Sequence, residues 1–577
     1  MINILLLFVV AIFALNIQLN AQNQKLLPNH GLTHKITPEE KFLMSCRSKS
    51  IFATNPPVGP VRNIAEFEPS EAVIIAYKNG FGLPYSLIND ISNAGKLIIV
   101  ATSSNQSTIT SLLNSNGVNT ANCSFLTVTG VDSWWTRDYT GWFIADSSHR
   151  VQIVDFVYNR PRPYDDIVPS KQAQFLGITM YGMDIEHTGG NYMCDGYNNA
   201  ISTSLVLSEN PSLSQTQVQQ TMQSFLGINN YMIRPDAQGA YIEHIDCWAK
   251  LLAPDKILVD SVPTSDPRWT NYEAAAAFFE STDCPYGYKY KVIRVLIAGS
   301  AETATAEPYS NSFIFNDRVF LPIKGGSSAP HDTAALQAYR KAMPGYTVKG
   351  YLAGSASWFG TDALHCRTHE IADRQMLYIE HYPLFGVINS TTGYDINAKV
   401  VSYAGNAVES NYPIIVYKVS QSGSWDSIPM NNNGYLTYTG NIPSQNDGDT
   451  IYYYLKAKDV SGKIAHHAFI GAADPHFFIT GANVKINDLF IDPELSFFTY
   501  PNPNKGSFFL FLKSNYSDKS LIRISDITGK CVYEENIIIE AGTNQKIINL
   551  SNVSQGVYYL SVHTTSEKLF MKIVITK

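Results

Sequence analysis

Residues 83–101 read LPYSLINDISNAGKLIIVA: a helical pattern from Leu83 to Asn93, followed by the apolar, strand-like run Lys96 to Ala101. The same alternation continues from about Arg62 to about Tyr382 and predicts an α/β region. Further helices are expected over Ser212 to Leu226 and His331 to Met343. The second is stopped by Pro344 and Gly345 ahead of the strand-like Tyr346 to Leu352. After Pro383 the helical signal disappears, and short alternating runs bounded by Gly, Asn, Asp and Ser take over. In Tyr452 to Lys458, for example, Tyr453, Leu455 and Ala457 share one face, which suits a small β-sandwich. A second all-β segment opens after Tyr500 with PNPNKG, runs through LIRISDITGK and GVYYLSVHT, and ends in the strand-like Met571 to Lys577.

A chain of 577 residues is too long for one ordinary core, so two or more domains are expected. Hydrophobic residues make up 45% and charged residues only 16%, which excludes global disorder. The formal charge of -7, the pI near 6.0 and the lack of any Lys/Arg run leave no electrostatic footprint for nucleic acid or an anionic membrane. A cationic substrate would be tolerated.

The N-terminus reads as an export signal over 1–21, with an apolar stretch from Ile4 to Leu15 and cleavage after Ala21. No Lys or Arg precedes the stretch, and Leu19 replaces the small residue expected before the cut. A retained anchor is the alternative, but the stretch falls short of the roughly 20 residues a spanning helix needs. Residues 22–44 would be an N-terminal segment or propeptide. Seven cysteines with no repeated close spacing indicate neither a disulfide scaffold nor a zinc site, and the odd count leaves a free thiol.

Four segments of the α/β region carry candidate chemistry: WWTRD (Trp134 to Asp138), EHID (Glu243 to Asp246), Asn311-Ser312 and GTDALHCRTHE (Gly360 to Glu370). None is a zinc or phosphate motif. The stretch around EHID reads as a strand, so His244 and Asp246, two apart, would face one side. A packed, hydrogen-bonded His/Asp pair is the plain alternative. Asp138 follows two tryptophans and Arg137; it either faces an aromatic pocket or simply pairs with Arg137. Cys366 lies between His365 and Arg367 in a loop-like stretch, unlike Cys247 in its apolar run. A Cys and a His alone would equally suit acyl transfer. The two added carboxylates fit a planar cation with several N–H donors, and guanidinium is such a cation. They would also raise the thiol pKa in the empty site, so that the bound cation helps ionise it.

These segments resemble the guanidino-group-modifying pentein superfamily, most closely its Porphyromonas-type peptidylarginine deiminases, over roughly residues 45–480. The resemblance implies a five-bladed α/β propeller over 45–382 and an Ig-like β-sandwich over 383–482. It also implies roles: Asp138 and Asp246 hold the guanidinium, His244 is the acid/base, Asn311 supports the site and Cys366 attacks. Peptidyl-arginine would become peptidyl-citrulline through a thiouronium intermediate, with ammonia released and no cofactor required. By the same resemblance Arg160 and Arg162, in NRPRP, would bind the C-terminal carboxylate of a peptide; a solvated basic loop beside Asp165 and Asp166 is the alternative from the residues alone. Trp135, Asp195 in GGNYMCDG, and Tyr241 are expected near the substrate. Agmatine deiminase, an amidinotransferase of the same fold and a non-catalytic surface adhesin remain alternatives. The final segment, 498–577 after a linker at 483–497, resembles the sorting domain of type IX secretion cargo. It implies handling by that secretion machinery and a secreted or outer-surface location, with surface anchoring one outcome once the tail is removed.

Overall fold

The computed structural model describes residues 34–45, 53–481 and 495–576, apart from 501, 503, 515–516, 541, 551 and 565–567. The expected signal over 1–21, Cys46 and most of the 483–497 linker lie outside the described residues. The chain divides into two compact units, 1–483 and 484–577.

In the first unit one pattern recurs five times: an antiparallel strand pair, a helical crossover, and a strand returning parallel to the second. The pair Trp142–Ala145 and Val151–Tyr158 is followed by Met180–His187. Met193–Cys194 and Asn199–Thr203 are followed by Asn230–Arg234. Ala249–Ala253 and Lys256–Ser261 are followed by Lys291–Leu296, and Phe313–Phe315 and Arg318–Ile323 by Thr347–Leu352. In the remaining sheet Ser70–Ala76, Lys96–Thr102 and Cys123–Val128 run parallel. Its antiparallel partner comes from the far end of the region, as His369–Ala372 pairs with Ser70–Ala76.

The expected helices are present with shifted ends. Tyr85–Ala94 begins after Pro84 and buries Leu87, Ile88 and Ile91. Gln215–Leu226 begins at a Ser214/Gln217 capping box and stops at left-handed Gly227, and Ala329–Ala342 precedes the strand Thr347–Leu352.

From Leu377 onward two sheets share a core that includes Ile396, Val400, Ile415, Tyr453, Leu455 and Phe478. The alternation read in Tyr452 to Lys458 is real: in Thr450–Lys458 every second residue is buried. The strand Leu377–Glu380 pairs with Tyr394–Ser402. This two-sheet part therefore begins before Pro383, because a strand can join its core before the helical signal has ended. The described residues of the second unit form one three-stranded and one four-stranded sheet around Leu510, Ile524, Leu560 and Ile573. Among the described residues no helix is long and apolar enough to cross a membrane.

Candidate active site

Each repeat enters its first strand through a short segment, and the candidate side chains occupy those five segments. Asp138 lies ahead of Trp142, Gly190 ahead of Met193, Asp246 ahead of Ala249, Asn311 ahead of Phe313 and Cys366 ahead of His369. Equivalent positions of a repeated unit thus deliver different chemistry to one place. A Cβ on Gly190 would lie 2.7 Å from His244 Nδ1, 2.8 Å from Asp138 Oδ1 and 3.3 Å from Asp246 Oδ2. Gly189 lets the backbones meet, since a Cβ there would collide with the Arg137 carbonyl.

EHID is not a strand. Glu243 has φ +53° and residues Ile245–Cys247 form a 3-10 turn before the strand opens at Ala249. His244 and Asp246 share the site because this turn redirects the backbone, and Asn191 fixes it by accepting from Ile245 N at 3.2 Å and Thr203 N at 2.9 Å. Among the described residues neither ring nitrogen of buried His244 has a hydrogen-bond partner, and Asp138 Oδ1 has none. Unpartnered buried polar atoms are costly unless a ligand satisfies them. Burial lowers the His244 pKa to about 4, against the opposing pull of Asp138 and Asp246.

Cys366 sits in the 3-10 turn His365–Arg367 and is as buried as Cys247; its neighbours, not its exposure, set it apart. Asn311 brackets it: Nδ2 donates to Cys366 Sγ at 3.3 Å and to the Asp246 carbonyl at 3.3 Å. Its Oδ1 accepts from His365 N at 3.0 Å and Cys366 N at 3.3 Å. Cys366 Sγ lies 3.8 Å from Asp246 Oδ2. Burial first, and then the charges of Asp246, Asp138 and Asp362, push the thiol up to about 11, while the Cys247 thiol pulls it back. The like-charge effect expected from the sequence is therefore second to burial. Since only the thiolate is nucleophilic, alkylation of Cys366 by iodoacetamide should climb about tenfold per pH unit from pH 7 to 9. Peptide-level mass spectrometry would follow it, and a plateau by pH 8 would mean the thiol is already ionised.

Behind Cys366 runs a charged chain that sequence reading missed. His365 Nδ1 lies 2.6 Å from Asp246 Oδ2 and its Nε2 2.7 Å from Glu66 Oε2. Glu66 in turn takes Lys250 Nζ at 2.6 Å on each oxygen. Burial alone would raise Glu66, but Lys250, His365 and Arg137 hold it well below the usual carboxylate range. Both His365 nitrogens meet carboxylates, so the ring fixes Asp246 beside Cys366. Arg137 does not pair with Asp138: its Nη2 donates to Glu370 at 2.7 Å, since adjacent residues in a helical turn point apart. Asp138 is freed to face the cluster.

Asp138 Oδ2 is 2.7 Å from Nε2 of His34, whose Nδ1 is 2.7 Å from the Thr361 carbonyl. The His34 ring stacks on Trp135 at 4.5 Å and 26°. Burial opposes ionisation of Asp138, but the His34 contact, with His244 and Arg160, holds its pKa well below normal. The Arg162 guanidinium also lies over the Trp135 ring, 4.9 Å from its centroid. Arg160 and Arg162 are both buried, which rules out the solvated loop, and Arg162 Nε donates to Glu40 at 3.0 Å. Tyr241 reaches only the rim, where its hydroxyl is 3.5 Å from Thr361 Oγ1.

Asp195 is not brought to this cluster. Its Oδ1 accepts from Tyr197 N at 2.8 Å and Asn199 N at 3.2 Å, closing the turn between two strands, and burial raises its pKa to about 7. An acceptor that closes a turn and one that meets a ligand look alike in sequence. The six described cysteines are free thiols. Among the described residues no three His, Cys, Asp or Glu side chains form a metal-binding group.

Residues 62–371 match the family model of the Porphyromonas-type peptidyl-arginine deiminases. The chain belongs to that family. As a deiminase it acts on guanidino groups, hydrolysing a C–N bond. Its relatives include the agmatine deiminase of Medicago truncatula, 22% identical over 287 residues, covering 41% of this chain and 75% of that protein. Another is the agmatine deiminase of Pseudomonas aeruginosa, 23% identical over 279 residues, with 41% and 74% covered. Among solved structures, the agmatine deiminase of Enterococcus faecalis superposes with TM-score 0.48 at 20% identity, covering 57% of this chain and 100% of that one. A second family model, the secretion system C-terminal sorting domain, matches residues 499–576. This deiminase is thus exported by type IX secretion, to the cell surface or beyond it.

Proposed function

We propose that this chain is a peptidyl-arginine deiminase with a preference for arginine at the C-terminus of a peptide. One observation carries it: a seat for a planar cation at Asp138 and a buried guanidinium at Arg162 lie against the same ring, that of Trp135. Arginine bearing a free carboxylate has both charges; agmatine has only the cation.

In the reaction the substrate cation, held by Asp138 and Asp246, offsets the charges that keep Cys366 protonated. Thiol and neutral imidazole together hold one proton, the count needed for a thiolate and an imidazolium. Cys366 Sγ adds to the guanidinium carbon, the C–N bond breaks, and ammonia leaves with a proton from His244. Water then adds to the thiouronium carbon as His244 takes its proton, and the C–S bond breaks to give the ureido product. Asn311 Nδ2, aimed at Sγ, steadies the sulfur's charge throughout.

The five recurring units would be the blades of a pentein propeller over 45–382, and the two-sheet part over 383–482 the Ig-like module, with Leu377–Glu380 shared between them. Export would begin with removal of 1–21 and end with loss of the tail, 498–577.

A peptide ending in arginine, one with arginine internal, and agmatine, each assayed for ammonia and ureido product, test the assignment. The C-terminal arginine peptide should be favoured by at least about tenfold in kcat/KM, the worth of one charged contact. The names of the relatives favour agmatine as the second candidate; turnover of agmatine alone would establish it instead.

A further inference from the structure

Of residues 34–44 only His34 and Glu40 are buried, and each occupies one of the two seats just described. The His34 ring is planar, stacks on Trp135 and points Nε2 at Asp138 and Nδ1 at the Thr361 carbonyl. Both ring nitrogens thus meet oxygen groups, a backbone carbonyl and a carboxylate. A planar ring that turns two nitrogens toward such oxygens while stacking on an aromatic wall presents the recognition geometry of a guanidinium. Imidazole has no exocyclic amine to expel, so Cys366 cannot deiminate it. Glu40 splits its carboxylate. Oε2 accepts from Thr37 N at 2.9 Å and Thr37 Oγ1 accepts from Glu40 N at 3.1 Å, capping the helix Pro38–Ser45. Oε1 goes to Arg162 Nε at 3.0 Å, where the carboxylate of a substrate would go.

Outside these two seats, Lys35 Nζ lies 3.4 Å from Glu302 Oε2 and 5.0 Å from the Tyr241 ring centroid. Lys35 and Phe42 are 59% and 68% exposed, so these side chains bury little apolar surface. The two buried side chains of the segment make the contacts a substrate would need.

From this pairing we infer that residues 34–45 are a built-in substrate mimic that keeps the deiminase latent, with His34 standing for the guanidinium and Glu40 for the terminal carboxylate. The inference rests on the deiminase reading of Cys366. A tethered occupant competes at an effective concentration far above that of most free substrates, so it lowers apparent affinity without touching the chemistry.

The full chain is compared with its H34A, E40Q and H34A/E40Q variants. In the double variant kcat/KM for a peptide ending in arginine should rise by at least about tenfold, mostly through KM. Labelling of Cys366 by 2-chloroacetamidine, read by peptide mass, should accelerate in parallel, and it requires no turnover. A synthetic peptide HKITPEEKFLMS should inhibit the double variant competitively, and its alanine-for-histidine form should not. Equal labelling and equal turnover in all four chains would overturn the inference and leave the deiminase assignment standing. Faster labelling with no turnover of any arginine peptide would support the mimic and sink that assignment.

Discussion

Replacing Cys366 with alanine is expected to abolish release of ureido product, with a fall of at least about 10⁴-fold, because among the described residues the covalent route has no second nucleophile placed to take it over. Cys247 is the nearest substitute, but its sulfur is 3.5 Å from Asp246 Oδ1 in the preceding turn, and its pKa is driven well above normal by Cys366 and by burial. Alanine removes one buried sulfur and leaves the Asn311 contacts to the His365 and Cys366 amides intact, so the melting temperature should move by only a few degrees. Ammonia release by the variant at the wild-type rate would refute the nucleophile assignment; a collapsed melting transition would make the loss a matter of folding.

Gly190→Ala is expected to cost at least about 10²-fold in kcat/KM without touching any reacting group, the scale of an ångström-size misplacement in a catalytic constellation. The added methyl would land 2.7 Å from His244 Nδ1 and 2.8 Å from Asp138 Oδ1, inside van der Waals contact with both. No positive φ is at issue at Gly190, so the penalty is steric and falls on the substrate seat. Circular dichroism should be unchanged and turnover lost. Near-normal turnover would mean that His244 and Asp138 are not held where the geometry puts them.

Much of this site could be read from the chain itself. Asp138, His244, Asp246, Asn311 and Cys366 stand in short segments of unusual composition, and the structure brings all five together with Trp135. Local periodicity located the helices Tyr85–Ala94 and Ala329–Ala342 to within a few residues, because their apolar spacing is a property of single turns. What could not be read depends on contacts between distant residues. His34 meets a carboxylate 104 residues away and His365 meets Glu66 across 299, and nothing local to either histidine records those partners. EHID misled for a related reason. The stretch around it reads as a strand, but the positive φ at Glu243 is a local backbone turn that the pattern does not encode. Gly190 was visible only as part of a glycine pair; its purpose is empty space.

The pairing of His369–Ala372 with Ser70–Ala76 bears on when the enzyme becomes active. Cys366 lies three residues before His369, so the same event that closes the first sheet carries the sulfur to Asp246 and Asn311. A chain emerging from the ribosome has four of the five converging segments before it has Cys366. Loop closure over so long a stretch is entropically late. The catalytic constellation therefore stays incomplete until the two ends of the catalytic region meet, and in a refolding experiment turnover cannot precede that closure.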